Sequence, residues 1–320
     1  MCHETAPAAD QGFEVIVEKV QSGRRSRSRF GLVGSSLFAF CVILPKTFRL
    51  LGCLGEMAGS GIFVNGAIAM AWIFGLILLM LCGAWLALLW RKRQPLQMST
   101  LQAVLYGINY LVARILWRAK VVGEFPVGDG QGAVVVSNHR SSLDPSFIQI
   151  LVDRPVHWMV AAEYFANPVL GYLLRLCMTI PAKRNGLDTT SAKTAIKMAL
   201  DGSLVGIFPE GTVNETDEFM LPGLPGAALV ALKAQVPIVP CYIEGSPYDG
   251  TAIGCLLMPA KVTLVIGEPI DLSPYHGREG TREAAEEVTE LLMRRVAELA
   301  GRPEYEPRVR RRRSRNGRVR

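Results

Sequence analysis

The pattern of apolar and polar positions divides the chain into three regimes. Residues 1–29 are largely polar and are expected to be disordered. Residues 30–93 carry long apolar runs. In the third regime, short apolar runs alternate with stretches of helical spacing.

Within the second regime, GIFVNGAIAMAWIFGLILLMLCGAWLALLW (61–90) contains no charged side chain. A bilayer core is crossed by about 20 apolar helical residues, so a transmembrane span is predicted over 64–90, inside a membrane anchor covering 30–93. Trp90 is an aromatic interface anchor, and Arg91, Lys92 and Arg93 form a basic stop, which by the positive-inside rule puts the C-terminal bulk on the cytoplasmic face. Upstream, FGLVGSSLFAFCVILP (30–45) is apolar but short for a span. Arg24, Arg25, Arg27 and Arg29 before it, with Lys46 and Arg49 after it, suit a hairpin of two spans, whereas its length suits an interfacial segment. Both readings stay open. The late start of the apolar run and the lack of a small-residue cleavage site argue against a cleaved signal peptide.

The third regime reads as one domain over 100–301. LQAVLYGINYLVARILWRAK (101–120) has an amphipathic helical pattern, suited either to packing on the fold or to lying at a membrane interface. AVVVSN (133–138), VHWMVAA (156–162), SLVGIFP (203–209), VPIVPCYI (236–243) and KVTLVIG (261–267) are rich in Val and Ile and bounded by Gly or Pro, which predicts strands. Between them PSFIQILV, NPVLGYLLRLC, TSAKTAIKMALDG and GAALVALKAQ have helical patterns. Residues 281–301 close the domain as a long amphipathic helix, with Thr281 as its cap and Gly301 as its stop. Strands alternating with helices predict an α/β fold, a mostly parallel central sheet flanked by helices.

Composition changes this picture at two points. The net charge of +7 is concentrated in RVRRRRSRNGRVR (308–320), whose eight arginines leave the rest of the chain near −1. Residues 302–320 are therefore expected to be a disordered, Arg-rich tail. It lacks the interleaved aromatics of a nucleic-acid reader, so no specific nucleic acid is expected, and anionic lipid at a bilayer surface is its favoured contact. The seven cysteines (2, 41, 53, 82, 177, 241 and 255) are scattered without a C-x-x-C pair, which suits a reducing compartment. With four histidines, none placed beside a second ligand at helical spacing, no metal site is expected.

Candidate chemistry gathers where the strand AVVV (133–136) breaks into SNHRSSLDP (137–145). In open α/β sheets sites lie at the carboxyl ends of strands. Asp144, before Pro145, is a natural N-cap for the helix that follows. His139 and Asp144 lie about 140° apart on a regular helix, but a loop running into a helix start can bring carboxylate against imidazole and make a general base. FPEGT (208–212) also follows a strand, and IPAKRNG (180–186) is a basic loop. His157 and His276 stand alone and read as structural. No G-x-S-x-G elbow exists to activate Ser141 or Ser142, and no P-loop or dinucleotide fingerprint occurs.

NHRSSLD (138–144), IPAKR (180–184), FPEGT (208–212) and VPIVPCYI (236–243) resemble, in order and spacing, the four blocks of the glycerolipid acyltransferase family, whose best-known members are the 1-acyl-glycerol-3-phosphate acyltransferases. The resemblance covers roughly residues 120–275. GEFPVGDGQG (123–132) is similar to the family's turn-rich lead-in. The resemblance implies transfer of a fatty acyl group from acyl-CoA or acyl carrier protein to a lysophospholipid hydroxyl, without metal or redox cofactor because the thioester is already activated. It implies that His139 takes the hydroxyl proton and that Asp144 orients it. Glu210, Gly211 and Thr212 fall in its acceptor-binding block, Asn138 in the first block is a further substrate-binding residue, Arg184 resembles its phosphate-binding arginine with Lys183 as a weaker neighbour, and Val239 with Pro240 would shape the acyl or acceptor pocket. One departure stands out. The third block commonly reads F-P-E-G-T-R-S, whereas this chain has FPEGTVN, with Val213 and Asn214. The missing arginine removes an expected phosphate contact and leaves open another lysophospholipid or an amino-acid lipid as acceptor. That absence is also the only motive for a catalytically lapsed membrane lipid-binding or scaffold relative, against which the intact His139, Asp144 and Glu210 speak.

Overall fold

The computed structural model of the chain describes residues 75, 79–80, 82–83, 98–183, 189–248, 250 and 254–310. The segments 1–29 and 30–45, most of 64–90, Arg184 and residues 311–320 lie outside them. Among the described residues no helix is long and apolar enough to cross a membrane.

The first helix, α1 (Thr100–Ile115), begins on a capping box in which Ser99 and Gln102 exchange side-chain and backbone hydrogen bonds. It packs on the domain, with Ala103 and Ala113 buried and Asn109 donating to the Ser146 carbonyl. The periodicity of 101–120 overstates its length. The helix stops at Ile115, Arg118 takes a positive φ of 45°, and Lys120–Val122 becomes a strand, β1. Three residues are too few to display a strand period beside a strong helical one.

The remaining elements follow in order: β2 (Ala133–Val136), α2 (Asp144–Gln149), β3 (Val156–Ala161), α3 (Pro168–Leu176), β4 (Ile180–Ala182), α4 (Thr189–Leu200), β5 (Leu204–Gly206), α5 (Gly226–Ala234), β6 (Ile238–Glu244), β7 (Thr263–Ile266) and α6 (Arg282–Leu299). The seven strands form one sheet in the order β1-β7-β6-β2-β5-β3-β4. Every neighbouring pair is parallel except β6 and β7, which run antiparallel with Cys241 opposite Ile266. Strand β4 escapes a sequence reading because it is short and holds Pro181, which a sheet tolerates at its edge.

Strand alternation sorts the core into two layers. Val134, Val136, Val205 and Ile238 face α4, α5 and α6, whereas Ala133, Val135, Leu204 and Val239 face α1 and α2. With both faces covered, β2 is apolar at every position and completely buried. Thr281 caps α6 as predicted, accepting from the Ala284 amide.

The C-terminal segment corrects one expectation. Residues 302–310, assigned from composition to a disordered tail, lie against the domain, where Gly223 forms an isolated parallel bridge with Val309. Composition hides this because backbone pairing, Tyr305, and the side chains of Arg302 and Arg308 make the contacts, and none of these shows as periodicity.

Candidate active site

Strands β2, β5, β3 and β4 run parallel, so the residues that follow them share one edge of the sheet. At the end of β2 the side chain of Asn138 turns inward. Its amide nitrogen donates to the Ile243 carbonyl at 2.9 Å and its oxygen accepts from the Ile243 amide at 2.8 Å. The side chain thus continues the β2–β6 ladder past the last backbone pair and fixes where the next residue, His139, leaves the sheet.

Two neighbours set the His139 ring. Its face stacks on Phe208 with centroids 3.7 Å apart and planes 6° apart, and Phe208 stacks in turn on Trp158 at 4.4 Å and 17°. Trp158 lies over Gly206, its register partner, where any Cβ would come within 2.5 Å of the indole. The glycine is therefore required by the stack. In the ring plane, Nδ1 lies 3.0 Å from Asp144 Oδ2. A carboxylate only accepts, so this contact puts the proton on Nδ1 and leaves Nε2 with its lone pair. Among the described residues Nε2 has no hydrogen bond, and the His139 side chain is 14% exposed.

Asp144 is wholly buried, and four donors hold it in place. Besides His139, Oδ2 accepts from the amides of Arg140 at 2.7 Å and Ser141 at 2.8 Å, while Oδ1 accepts from the Ser246 hydroxyl at 2.6 Å. This corrects the expected N-cap. The capping position is Leu143, and Asp144 is the first helical residue with its carboxylate turned back into the loop, where two backbone donors already point. Ser246, 102 residues away, has no sequence signal. Ser141 accepts from the Leu143 amide, and Ser142 lies 3.4 Å from the Cys255 thiol.

Glu210 is nearly completely buried. Oε1 accepts from the His139 amide and Oε2 from the Leu221 amide, both at 2.8 Å, so the carboxylate brackets the backbone of the histidine against a distant loop. Burial pushes its pKa up to about 7, against the lowering effect of those two amides. Gly211 follows with a φ of +71° in the turn closed by its amide on the Phe208 carbonyl, and Thr212 is half-buried beyond it.

The altered part of this block has its own order. Asn214 is buried. Its backbone amide donates to the His139 carbonyl at 2.7 Å, its Oδ1 accepts from the amide and hydroxyl of Thr216, and its Nδ2 donates to the Glu218 carbonyl. Arg140 Nη1 lies within hydrogen-bond distance of the carbonyls of Asn214, Thr216 and Glu218. Arg140 was not singled out from the sequence, although it sits inside the first block.

The other expected residues are spread more widely. Lys183 is exposed just after β4, on the same edge as His139 but three strand spacings from β2, about 14 Å. Val239 and Pro240 are buried inside β6, and alternation turns them to opposite faces of the sheet. His157 donates from Nδ1 to the Met178 carbonyl at 2.9 Å, and burial lowers its pKa. Among the described residues no cluster of His, Cys, Asp and Glu suits a metal ion.

This geometry supplies a basic imidazole nitrogen at a solvent-facing edge, with tautomer and orientation both fixed. The chain is also similar to known acyltransferases. The acyltransferase family model matches residues 118–244, which contain every one of these contacts except those to Ser246 and Cys255. The 1-acyl-sn-glycerol-3-phosphate acyltransferase of Bacillus subtilis is 30% identical over 169 residues, 52% of this chain and 81% of that one. The alpha form of that enzyme from Homo sapiens is 35% identical over 158 residues, and this chain spans 54% of it. The 1-acyl-sn-glycerophosphate acyltransferase structure from Thermotoga maritima aligns with a TM-score of 0.48 and 23% identity, over 70% of this chain and 95% of that one.

Proposed function

The chain belongs to the glycerolipid acyltransferase family, and from that premise we propose that it moves a fatty acyl group from a thioester donor to the free hydroxyl of a lysophospholipid. The observation that carries this reading is the contact of His139 Nδ1 with the buried Asp144 carboxylate, which leaves Nε2 available. Nε2 takes the proton of the acceptor hydroxyl as its oxygen attacks the thioester carbonyl. The tetrahedral intermediate then expels the thiolate, which recovers that proton from the imidazolium. A new ester and a free thiol result, with no acyl-enzyme between them, and base catalysis of this kind contributes about 10²–10⁴ in rate. Asp144 holds the ring and steadies its positive charge.

The acceptor is of the 1-acyl-glycerol-3-phosphate type, as the names of the Bacillus subtilis and human relatives suggest, and the donor is acyl-CoA or acyl carrier protein. Arg184 and Lys183 are the phosphate-binding cations in this reading, and a guanidinium fork suits a phosphate. Val213 supplies no charge, so affinity for the phosphate rests on them. The reaction belongs to phospholipid synthesis or remodelling. The apolar stretch 64–90 anchors the chain in the bilayer, with the catalytic domain at its cytoplasmic face and the arginines beyond Arg310 near anionic headgroups.

Assay of labelled acyl-CoA against a panel of lysolipids tests the reading. Transfer to 1-acyl-glycerol-3-phosphate above other lysophospholipids and amino-acid lipids supports it, and preference for an uncharged acceptor counts against the phosphate assignment.

A further inference from the structure

Residues 214–224 carry neither helix nor strand, so contacts with the rest of the fold must fix their shape. Helix α6 holds one side. A Cβ on Gly223 would meet Met293 Sδ and Thr289 Cγ2 of that helix at 2.3 and 2.9 Å. Residues 302–310 hold the other. The Gly223 amide donates to the Arg308 carbonyl at 2.7 Å, and the Arg310 amide donates to the Gly223 carbonyl at 2.8 Å. Tyr305 donates its hydroxyl to the Met220 carbonyl and meets Phe219 edge-on with centroids 5.2 Å apart. The Arg302 guanidinium sits 4.7 Å from the centre of that same Phe219 ring, and Arg308 pairs with Glu218.

This clasped segment contains Leu221, whose amide donates to Glu210, and Glu210 holds the His139 amide with its other oxygen. We propose that residues 302–310 form a strap that positions His139 through Leu221 and Glu210, with Tyr305 as its principal positioning residue. The strap lies beyond the stretch 118–244 that the family model matches, so it is a device of this chain's C-terminal segment outside the shared blocks. The exposed Arg308–Glu218 pair adds little by itself, because ion pairs in water are weak. The aromatic contact and the backbone bridge carry the connection.

The proposal rests on the acyl-transfer reading, and its test separates the two. Tyr305→Ala, Tyr305→Phe and a chain ending after Arg310 are compared with the full chain for hydrogen exchange and for steady-state kinetics with acyl-CoA and 1-acyl-glycerol-3-phosphate. Loss of the hydroxyl bond and the ring contact in Tyr305→Ala is expected to speed exchange about tenfold at both 219–223 and 137–141. With it kcat falls several-fold, while KM for the acceptor stays within about twofold. Tyr305→Phe, which keeps the ring contact, recovers most of both effects, and ending the chain after Arg310 leaves exchange at 219–223 and 137–141 unchanged. Exchange that rises at 219–223 alone, or an unchanged kcat beside faster exchange at 137–141, overturns the strap. A wild-type chain that transfers no acyl group defeats the functional reading, while exchange at 137–141 still decides the strap.

Discussion

Asn138 pairs with Ile243 as one backbone unit pairs with another, donating and accepting across the end of the β2–β6 ladder. A side chain so engaged serves the sheet. Asn138→Ala leaves the Ile243 amide and carbonyl buried without partners, at about 1–3 kcal/mol for each. The expected outcome is a lower denaturation midpoint in urea, with KM for the acceptor unchanged in the protein that remains folded. A stable variant with a raised KM would instead make Asn138 a substrate contact.

Gly206→Ala reaches the site through packing. A methyl group there meets the middle of the Trp158 indole, whose displacement moves Phe208 and the stacked imidazole of His139. Overpacking of this kind costs about 1–3 kcal/mol. Thermal melting should show that loss, and kcat should fall with KM little altered, because the ring that moves contributes to chemistry more than to binding.

The bracket at Glu210 predicts a pH dependence. Its carboxyl has a pKa near 7 in the fold, raised by burial from an ordinary 4.5. An acid with a raised pKa binds its proton more tightly when folded, so its contribution to stability is full below the unfolded value and is lost as pH rises through about 7. A shift of this size amounts to on the order of 3 kcal/mol. Melting temperatures should decline from pH 5 to pH 8, and Glu210→Gln, which cannot ionise, should flatten that decline. An identical slope in both proteins would remove Glu210 as its source.

Arg140→Ala tests the loop that replaces the common third-block arginine. Losing a guanidinium that caps three carbonyls should speed hydrogen exchange over 214–218 by about tenfold or more, with exchange in α4 unchanged. Arg140→Lys should restore part of it, because all three contacts come from one nitrogen, Nη1, and an ammonium likewise carries its donors on a single nitrogen. Equal exchange in wild type and Arg140→Ala would show that Asn214 and the C-terminal segment hold the loop without Arg140.

The fold was legible where periodicity and length agreed. The strands over 133–138, 156–162, 203–209, 236–243 and 261–267, and the helix over 281–301, appear close to their expected places. Strands β1 and β4, each three residues long, left no period to read, and antiparallel pairing of β6 with β7 has no signature in either strand alone. At the site, the contact between His139 and Asp144 follows from a block of neighbouring residues. What holds that contact does not. Ser246 is distant in sequence, Trp158 acts through a ring stack, and the inward turn of Glu210 depends on the amide of Leu221. Such contacts are made by tertiary folding, and spacing along the chain carries no trace of them.

The most direct test of the account compares wild type with His139→Ala in transfer of a labelled acyl group from acyl-CoA to 1-acyl-glycerol-3-phosphate. The account predicts that label enters the diacyl product with wild type and that kcat drops about 10²–10⁴-fold with His139→Ala, while the variant remains folded. Equal transfer by the two proteins would contradict it.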